Sequence, residues 1–271
     1  MEVFQEVGDS LAGRYFLHRL LPFSPSECKY VGADFSLDRF LERGGFPEPL
    51  LAENVIDADR WRLLYIDSLL REDVLNFDNI HNVKAIRLIF EMLRNRVGSP
   101  VSYSSIAEDI GVSPNTVKKY IQVLEALYIV FRVSPYSHNI ARSLLKEPKI
   151  YFFDAALVKG DNGSRLENLV ATCLLKEAYA KTDRLGVLHE IRYLQTKEKQ
   201  EVDFALQKND LIEKIIEVKN RDSDPSPSLK YFHNKYGMKS CQIVKELKKE
   251  KEINGIQILN ADKFLKSLDP A

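Results

Sequence analysis

Four charged residues in the second half of the chain have the types and the spacing of a site that could bind a divalent metal ion. Asp203 lies in the run Glu-Val-Asp-Phe, and Glu217 and Lys219 lie in the run Ile-Glu-Val-Lys. Asp203 and Glu217 are 14 residues apart, which is enough for the two strands of a hairpin. Glu167 precedes both runs, on a predicted helix. Side chains two apart on a strand point to the same face, so Glu217 and Lys219 are predicted to lie side by side.

The chemistry explains these residue types. Carboxylates on adjacent strands offer the hard oxygen ligands that Mg²⁺ or Mn²⁺ takes. Such an ion lowers the pKa of a bound water and offsets charge on a phosphorane, and a neighbouring lysine can orient that water. We therefore predict a Mg²⁺- or Mn²⁺-dependent site with Asp203 and Glu217 as metal ligands, Lys219 as a catalytic residue and Glu167 as a supporting acid. The alternative is a solvated strand end, in which Glu217 and Lys219 form a weak surface pair and Asp203 follows plain in-out alternation.

The elements around these residues alternate between helical and strand patterns. This order predicts a mixed α/β domain over residues 151–271, with the run 245–252 as a solvated loop. The predicted helices are 165–181, 228–236 and 261–268, and the predicted strands are 187–194, 201–206, 211–218, 240–244 and 256–259.

A helix-turn-helix pattern precedes this domain. Gly111 can end a first short helix in a left-handed conformation, Ser113 is a good N-cap, and Pro114 suits the first position of a second helix. Predicted strands at 128–133 and 149–153 suggest a winged form with 134–148 as the wing.

The outer face of the second helix is the candidate nucleic-acid interface. Residues 80–150 carry ten Lys and Arg against five acidic residues, a balance of plus five. DNA is therefore a possible partner; the alternative is a winged helix that packs against protein. The residues placed to reach a major groove are Asn115, Thr116, Lys118, Lys119 and Gln122.

The first segment, 1–78, is predicted to be helical, with a turn at Gly44-Gly45-Phe46-Pro47. Its pattern resembles the last part of a larger domain rather than a complete small one. Asp59 is its predicted helix N-cap. Residues 34–78 hold eleven acidic residues and five arginines, so this part is not expected to bind a phosphate backbone. No G-x-x-x-x-G-K-[ST] motif occurs in the chain, and ATP is not an expected cofactor.

Composition narrows the class of protein. The chain of 271 residues has 39 basic and 39 acidic residues, and its apolar fraction of 45% is that of a globular protein. Its three cysteines are far apart, which argues against a disulfide framework and a cysteine-rich zinc site. No apolar run approaches the roughly 20 residues of a bilayer span, so we expect a cytoplasmic protein without a membrane partner.

The second half of the chain resembles the PD-(D/E)XK phosphodiesterase fold of restriction enzymes and Holliday-junction resolvases. Glu167 matches the helix acid, Asp203 the first strand acid, and Glu217 with Lys219 the E-x-K motif. Val202 stands where the pattern has proline. The resemblance implies a restriction-endonuclease-like mixed sheet flanked by helices.

The chain as a whole resembles the C-terminal two thirds of AAA-type ATPases of archaea and bacteria that end in a domain of unknown function. This resemblance implies an ATPase remnant with lid helices over 1–78, a winged helix over 79–150 and a nuclease-like domain over 151–271. It implies a nucleic-acid-associated module without ATPase activity, whose partner is a separate ATPase core or a second copy. The alternative is a catalytically inactive DNA- or protein-binding regulatory module. The residues that carry the resemblance are Leu11-Ala-Gly-Arg14, Leu21-Pro-Phe-Ser24 with Glu27, Gly44-Gly45-Phe46-Pro47, Leu127-Tyr-Ile, Pro135-Tyr136, Lys149-Ile-Tyr-Phe-Phe-Asp154, Gly163, Glu167-Asn168, Glu201-Val-Asp-Phe204 and Ile216-Glu-Val-Lys219.

Overall fold

The computed structural model describes residues 18–73, 82–137 and 147–269, and it has a mixed α/β architecture. Within these residues, six α-helices and a two-stranded sheet precede a six-stranded mixed sheet flanked by three further α-helices. The helices are α1 (Leu37–Arg43), α2 (Pro47–Leu51), α3 (Val55–Ser68), α4 (Val83–Arg94), α5 (Tyr103–Ile110), α6 (Pro114–Ala126), α7 (Asn162–Leu185), α8 (Pro227–Tyr236) and α9 (Ala261–Ser267). The strands are β1 (Val130–Val133), β2 (Lys149–Phe152), β3 (His189–Gln195), β4 (Glu201–Lys208), β5 (Leu211–Lys219), β6 (Ser240–Val244), β7 (Lys251–Ile253) and β8 (Ile256–Asn260).

The large sheet has the strand order β3-β4-β5-β6-β8-β7. Its first three strands form an antiparallel meander, and β5, β6 and β8 run parallel to one another. The predicted helix-and-strand order of this region is confirmed, with ends shifted by a few residues. The prediction of a loop over 245–252 is wrong at its end, because β7 begins at Lys251. β7 pairs with β8 through its backbone while its first two side chains are exposed, so it shows no apolar alternation.

The turn between α5 and α6 forms as the sequence predicts. Gly111 adopts a left-handed conformation with φ of 70°, and the Ser113 hydroxyl accepts the Thr116 backbone N–H at 3.1 Å. Pro114 is the first residue of α6. β1 and β2 then pair antiparallel, with Val130 opposite Phe152. The predicted wing lies partly outside the described residues, and the Leu11–Arg14 motif lies wholly outside them.

Two predicted helix starts are wrong by about one turn. Helix α3 begins at Val55 after an Asn54 cap, and Asp59 lies inside it and pairs with Arg62 at 2.6 Å. Helix α7 begins at Asn162 after an Asp161 cap, so Gly163 lies in its first turn rather than before it. In both cases an earlier Asn or Asp can also cap the helix, and the local pattern does not distinguish the two.

One continuous apolar core runs through most of the described chain. It joins the N-terminal helices to α4–α6, the small sheet, α7 and one face of the large sheet; Phe40, Phe90, Phe152 and Leu169 represent these parts. A second cluster fills the other face beneath α8. No described helix is long and apolar enough to cross a membrane.

Buried polar groups hold the N-terminal helices against this core. Asp154 is buried and accepts a hydrogen bond from Arg62 of α3 at 3.3 Å. Gly44, with φ of 74°, lies so close to Asp154 that a Cβ there would overlap its carboxylate. Lys176 of α7 pairs with Glu27, which also accepts the Ser24 backbone N–H at 2.8 Å. The contacts of Asp154 with Arg62 and Gly44, and of Lys176 with Glu27, join segments far apart in sequence.

Asn168 completes the small sheet from α7. Its side-chain amide accepts the Phe152 backbone N–H at 2.8 Å and donates to the Phe152 carbonyl at 2.8 Å. The side chain therefore substitutes for a neighbouring strand at the edge of β2. It also fixes the rotation of α7, which places the preceding residue, Glu167, beside the large sheet.

Replacing Asn168 with alanine is expected to lower the free energy of unfolding by about 1–3 kcal/mol, because it leaves the buried Phe152 backbone N–H without its partner. The Phe152 carbonyl still accepts the Thr172 hydroxyl at 3.1 Å. Urea denaturation of the wild type, Asn168→Ala and Asn162→Ala measures this. Asn162 is exposed in the first turn of the same helix. Equal losses in the two variants would contradict the assigned role.

Candidate active site in the carboxylate cluster

A β-bulge in β4 directs Asp203 toward β5. Arg192 of β3 pairs with Ala205 while Leu194 pairs with Val202, so β4 carries one extra residue over this stretch. Val202 and Ala205 accordingly belong to the same core cluster although they are three apart. Bulges redirect side chains in this way. The residues on either side of Asp203, Val202 and Phe204, belong to different core clusters, so the plain alternation considered for Asp203 does not hold. The Asp203 carboxylate accepts the Val218 backbone N–H at 2.9 Å.

Glu217 and Lys219 lie at the end of β5, next to Asp203. Phe204 pairs with Ile216, so Asp203 and Glu217 are the residues next to the end of the paired stretch. Glu217 Oε1 lies 2.9 Å from Lys219 Nζ. Its Oε2 is buried and has no hydrogen-bond partner in the described structure. Glu217 is only 5% exposed, so it is not the solvated surface acid of the alternative reading.

Glu167 joins the same cluster from α7. Its Oε1 accepts a hydrogen bond from the Tyr151 hydroxyl at 2.7 Å. Gly98, with φ of 81°, lies against the other side, where a Cβ would be 2.6 Å from Glu167 Oε2. The four residues predicted from the sequence therefore belong to one cluster: Lys149 contacts both Glu167 and Asp203, and the charge of Asp203 raises the pKa of both Glu167 and Glu217.

Lys149 lies in the middle of this cluster, and sequence reasoning missed it. Its ammonium is 2.7 Å from Glu201 Oε1, 3.4 Å from Asp203 Oδ1 and 3.5 Å from Glu167 Oε1. Its side chain is fully buried. Lys149 opens β2 and marks a strand start in the sequence, and nothing local shows that it faces acids on other elements. Glu201, two residues before Asp203, was missed for the same reason.

Charge governs the cluster. Burial by itself lowers the pKa of Lys149, but Glu167, Asp203 and Glu201 outweigh burial and raise it, so the ammonium stays charged. Burial, then the charge of Asp203, raises the pKa of Glu167 to about 7 against the opposing effect of Lys149. Burial and Asp203 also raise the pKa of Glu217 to about 7, opposed by Lys219. The cluster thus holds more negative charge than its lysines compensate.

The fit to a divalent cation can be judged from these groups. Four carboxylates (Glu167, Glu201, Asp203, Glu217) face two ammonium groups (Lys149, Lys219), which leaves two negative charges when all are ionised. The unpaired Glu217 oxygen beside Asp203 suits Mg²⁺, which commonly takes one or two carboxylates and keeps waters. In the described ranges, no three His, Cys, Asp or Glu side chains are arranged to hold a metal together. The fit therefore rests on Asp203 and Glu217.

The candidate nucleic-acid residues lie on the outer face of α6. Val117, Ile121 and Leu124 are buried on its inner face. Thr116 is half-buried, and its hydroxyl lies 2.9 Å from that of Ser113, so it serves the helix cap. The other four candidates, Asn115, Lys118, Lys119 and Gln122, are exposed.

The raised pKa of Glu217 predicts a pH-dependent stability. An acid whose pKa rises from 4.5 to about 7 on folding binds a proton in the folded state, so its stabilising contribution is present below about pH 4.5 and is lost as pH rises through 7. The Tm of Glu217→Gln minus that of wild type should therefore increase between pH 5 and 8, by about 2–4 °C per kcal/mol of relieved repulsion. Thermal unfolding in EDTA measures this.

Glu213→Gln is the matched control, since Glu213 is an exposed acid on the same strand. A Glu217→Gln difference that stays flat with pH would contradict the charge imbalance.

Comparisons with known proteins cover different parts of this architecture. A family model described as a domain of unknown function, DUF8612, matches residues 34–161, which span α1 to the loop before α7 and include Lys149. No solved structure matches the chain.

Several uncharacterised proteins are similar in sequence. One from Mycobacterium tuberculosis is 29% identical over 55% of this chain and 33% of its own length. One from Haemophilus influenzae is 23% identical over 94% of this chain and 66% of its length. One from Methanocaldococcus jannaschii is 22% identical over 81% of this chain and 54% of its length. The chain thus spans about one third to two thirds of these relatives.

Proposed function

We propose that this chain is a nucleic-acid-associated module with a Mg²⁺- or Mn²⁺-dependent DNA phosphodiesterase site. Asp203 and Glu217 hold the metal, Lys219 is the catalytic lysine, and Glu167 is a supporting acid. The observation that carries this proposal is the buried Glu217 oxygen without a hydrogen-bond partner, beside the Asp203 carboxylate and with Lys219 on its other oxygen.

The chain's own residues have distinct roles in this proposal. The Asp203 carboxylate is oriented by the Val218 N–H, which leaves its Oδ1 directed toward the cluster. The Lys219 side chain is 34% exposed, so its ammonium can meet a phosphate oxygen or an attacking water from solvent while it pairs with Glu217. A bound divalent ion would supply Lewis-acid stabilisation of the phosphorane and a more acidic water. Glu167, held by Tyr151, adds negative charge from α7.

The order of the helices and strands supports a further proposal, that the chain contains a restriction-endonuclease-like domain and a winged helix. Helix α7, the β3–β4–β5 meander, α8 and β6 follow the order of a restriction-endonuclease-like core, with the acids at the β4–β5 junction. Helices α4–α6 followed by β1 and β2 have the order of a winged helix. We also propose that the chain is related to the C-terminal regions of AAA-type ATPases that it resembles in sequence. On that basis the chain does not hydrolyse ATP, and its partner is a separate ATPase core or a second copy.

A second candidate is a catalytically inactive DNA- or protein-binding module. The observation that favours it is Lys149, which already pairs with Glu167, Glu201 and Asp203. A site whose acids are compensated by lysines can persist as a structural core. In that case the exposed face of α6 carries the function.

Cleavage assays separate the two candidates. With Mg²⁺ or Mn²⁺, we expect the wild type to cut single-stranded, duplex or branched DNA. Lys219→Ala should reduce the rate about 10²-fold or more, and Asp203→Asn should abolish cutting. Lys208→Ala, at an exposed site on β4, should leave the rate unchanged. Absence of cutting on every substrate, or activity that survives Asp203→Asn, would favour the binding module.

DNA binding is expected to depend on the outer face of α6. Lys118→Ala/Lys119→Ala should weaken binding about tenfold and reduce the slope of log affinity against log salt by about 1–2, because two phosphate contacts are lost. Fluorescence anisotropy at several salt concentrations measures both. Lys248→Ala/Lys249→Ala is the control, since these adjacent lysines are exposed on the opposite half of the chain. Unchanged binding in the α6 variant would exclude this face.

A further inference from the structure

We propose that Lys149 is the built-in counter-ion of the carboxylate cluster and competes with a divalent cation for Asp203, the acid that the two would share. Metal binding then depends on the placement of β2, the strand that brings Lys149 into the cluster. The identity of the competing ion rests on the proposed function, but the role of Lys149 is a property of this chain's own side chains.

The contact geometry is that of a cation among its ligands. A lysine ammonium has three N–H donors, and Lys149 Nζ faces one oxygen each from three carboxylates, at 2.7, 3.4 and 3.5 Å. Its side chain is fully buried, so water does not take the place of any of these ligands. The Tyr193 ring lies 5.5 Å from the ammonium and adds a further interaction suited to a cation.

Backbone contacts hold Lys149 in place. Strand β1 pairs with it through Val133, and the Pro148 carbonyl before it accepts the Val101 N–H at 2.9 Å. The Glu147 carbonyl accepts the Tyr193 hydroxyl at 2.7 Å. The ammonium is therefore positioned by the strand itself rather than by a side chain reaching in from the surface.

The cation and its ligands come from different elements of the fold. Lys149 belongs to the small sheet that follows α6, whereas Glu167 lies on α7 and Glu201 and Asp203 lie on β4. A divalent ion bound to Asp203 would face a positive charge in direct contact with the same carboxylate. Like charges at that spacing disfavour each other, so metal affinity should rise when the ammonium is removed or displaced.

Mn²⁺ binding to the whole chain tests this, read by electron paramagnetic resonance of free Mn²⁺ or by calorimetry. Lys149→Met keeps the length of the side chain and removes its charge, and we expect its Mn²⁺ affinity to be about tenfold or more above that of wild type. Lys176→Met is the matched control, since Lys176 is a buried lysine paired with Glu27 away from the cluster. Its affinity should equal that of wild type. Equal or weaker Mn²⁺ binding by Lys149→Met would overturn the proposal.

Thermal unfolding provides a second readout. Without metal, Lys149→Met should have a lower Tm than wild type, because its acids lose their counter-ion. Added Mn²⁺ should raise its Tm more than that of wild type, because a ligand stabilises the state it binds. If Lys149→Met does not fold, Lys149→Met/Glu201→Gln removes one acid with the ammonium, and it should still bind Mn²⁺ more tightly than wild type. A double variant with wild-type affinity would also overturn the proposal.

These outcomes are separable from those of the cleavage assay. Tight Mn²⁺ binding by Lys149→Met, with no cutting by wild type on any substrate, supports the counter-ion and rejects the phosphodiesterase. Cutting by wild type, with no gain of affinity in Lys149→Met, supports the phosphodiesterase and rejects the counter-ion.

Discussion

Compensation of buried charge is the constraint on which the rest of this structure depends. An ionised group removed from water loses several kcal/mol of solvation, and the loss is recovered only by close opposite charges and hydrogen bonds. Lys149 is fully buried, and its stability in that position requires the carboxylates around it. Those carboxylates in turn lie close together because the ammonium that contacts all three offsets their mutual repulsion. The positions of α7, β2 and β4 are therefore mutually dependent.

This dependence joins the region that ends with β2 to the region that begins with α7. The first region contributes Lys149 and Tyr151 from β2 and the closely packed Gly98, and the second contributes the acids. Asn168 repeats the connection in neutral form, because its amide pairs with the Phe152 backbone from the neighbouring position on α7. The face proposed to meet DNA and the site proposed to cut it are consequently parts of one packed unit. A shift of β2 would change the distances between the Lys149 ammonium and the carboxylates of the cluster.

The compensation is incomplete, so the cluster keeps uncompensated negative charge, which suits a chemical role. The pKa values of Glu167 and Glu217 are raised by burial and by Asp203, and Glu217 keeps one buried oxygen without a hydrogen-bond partner. Raised pKa values and unpaired buried carboxylate oxygens are common at functional sites. The β4 bulge serves the same arrangement, since it turns Asp203 toward β5 at the expense of regular pairing.

The sequence by itself determined the features that depend on near neighbours. The Gly111 and Ser113 caps, the helix-and-strand order of the second half and the shared strand end of Glu217 and Lys219 all follow from local periodicity and turn chemistry. Tertiary structure alone decided which charges meet. Lys149 and Glu201 are far apart along the chain, and the bulge at Asp203 appears only when β4 pairs with β3. A strand pattern fixes which face a side chain takes, but the partner on that face is set by packing between distant segments.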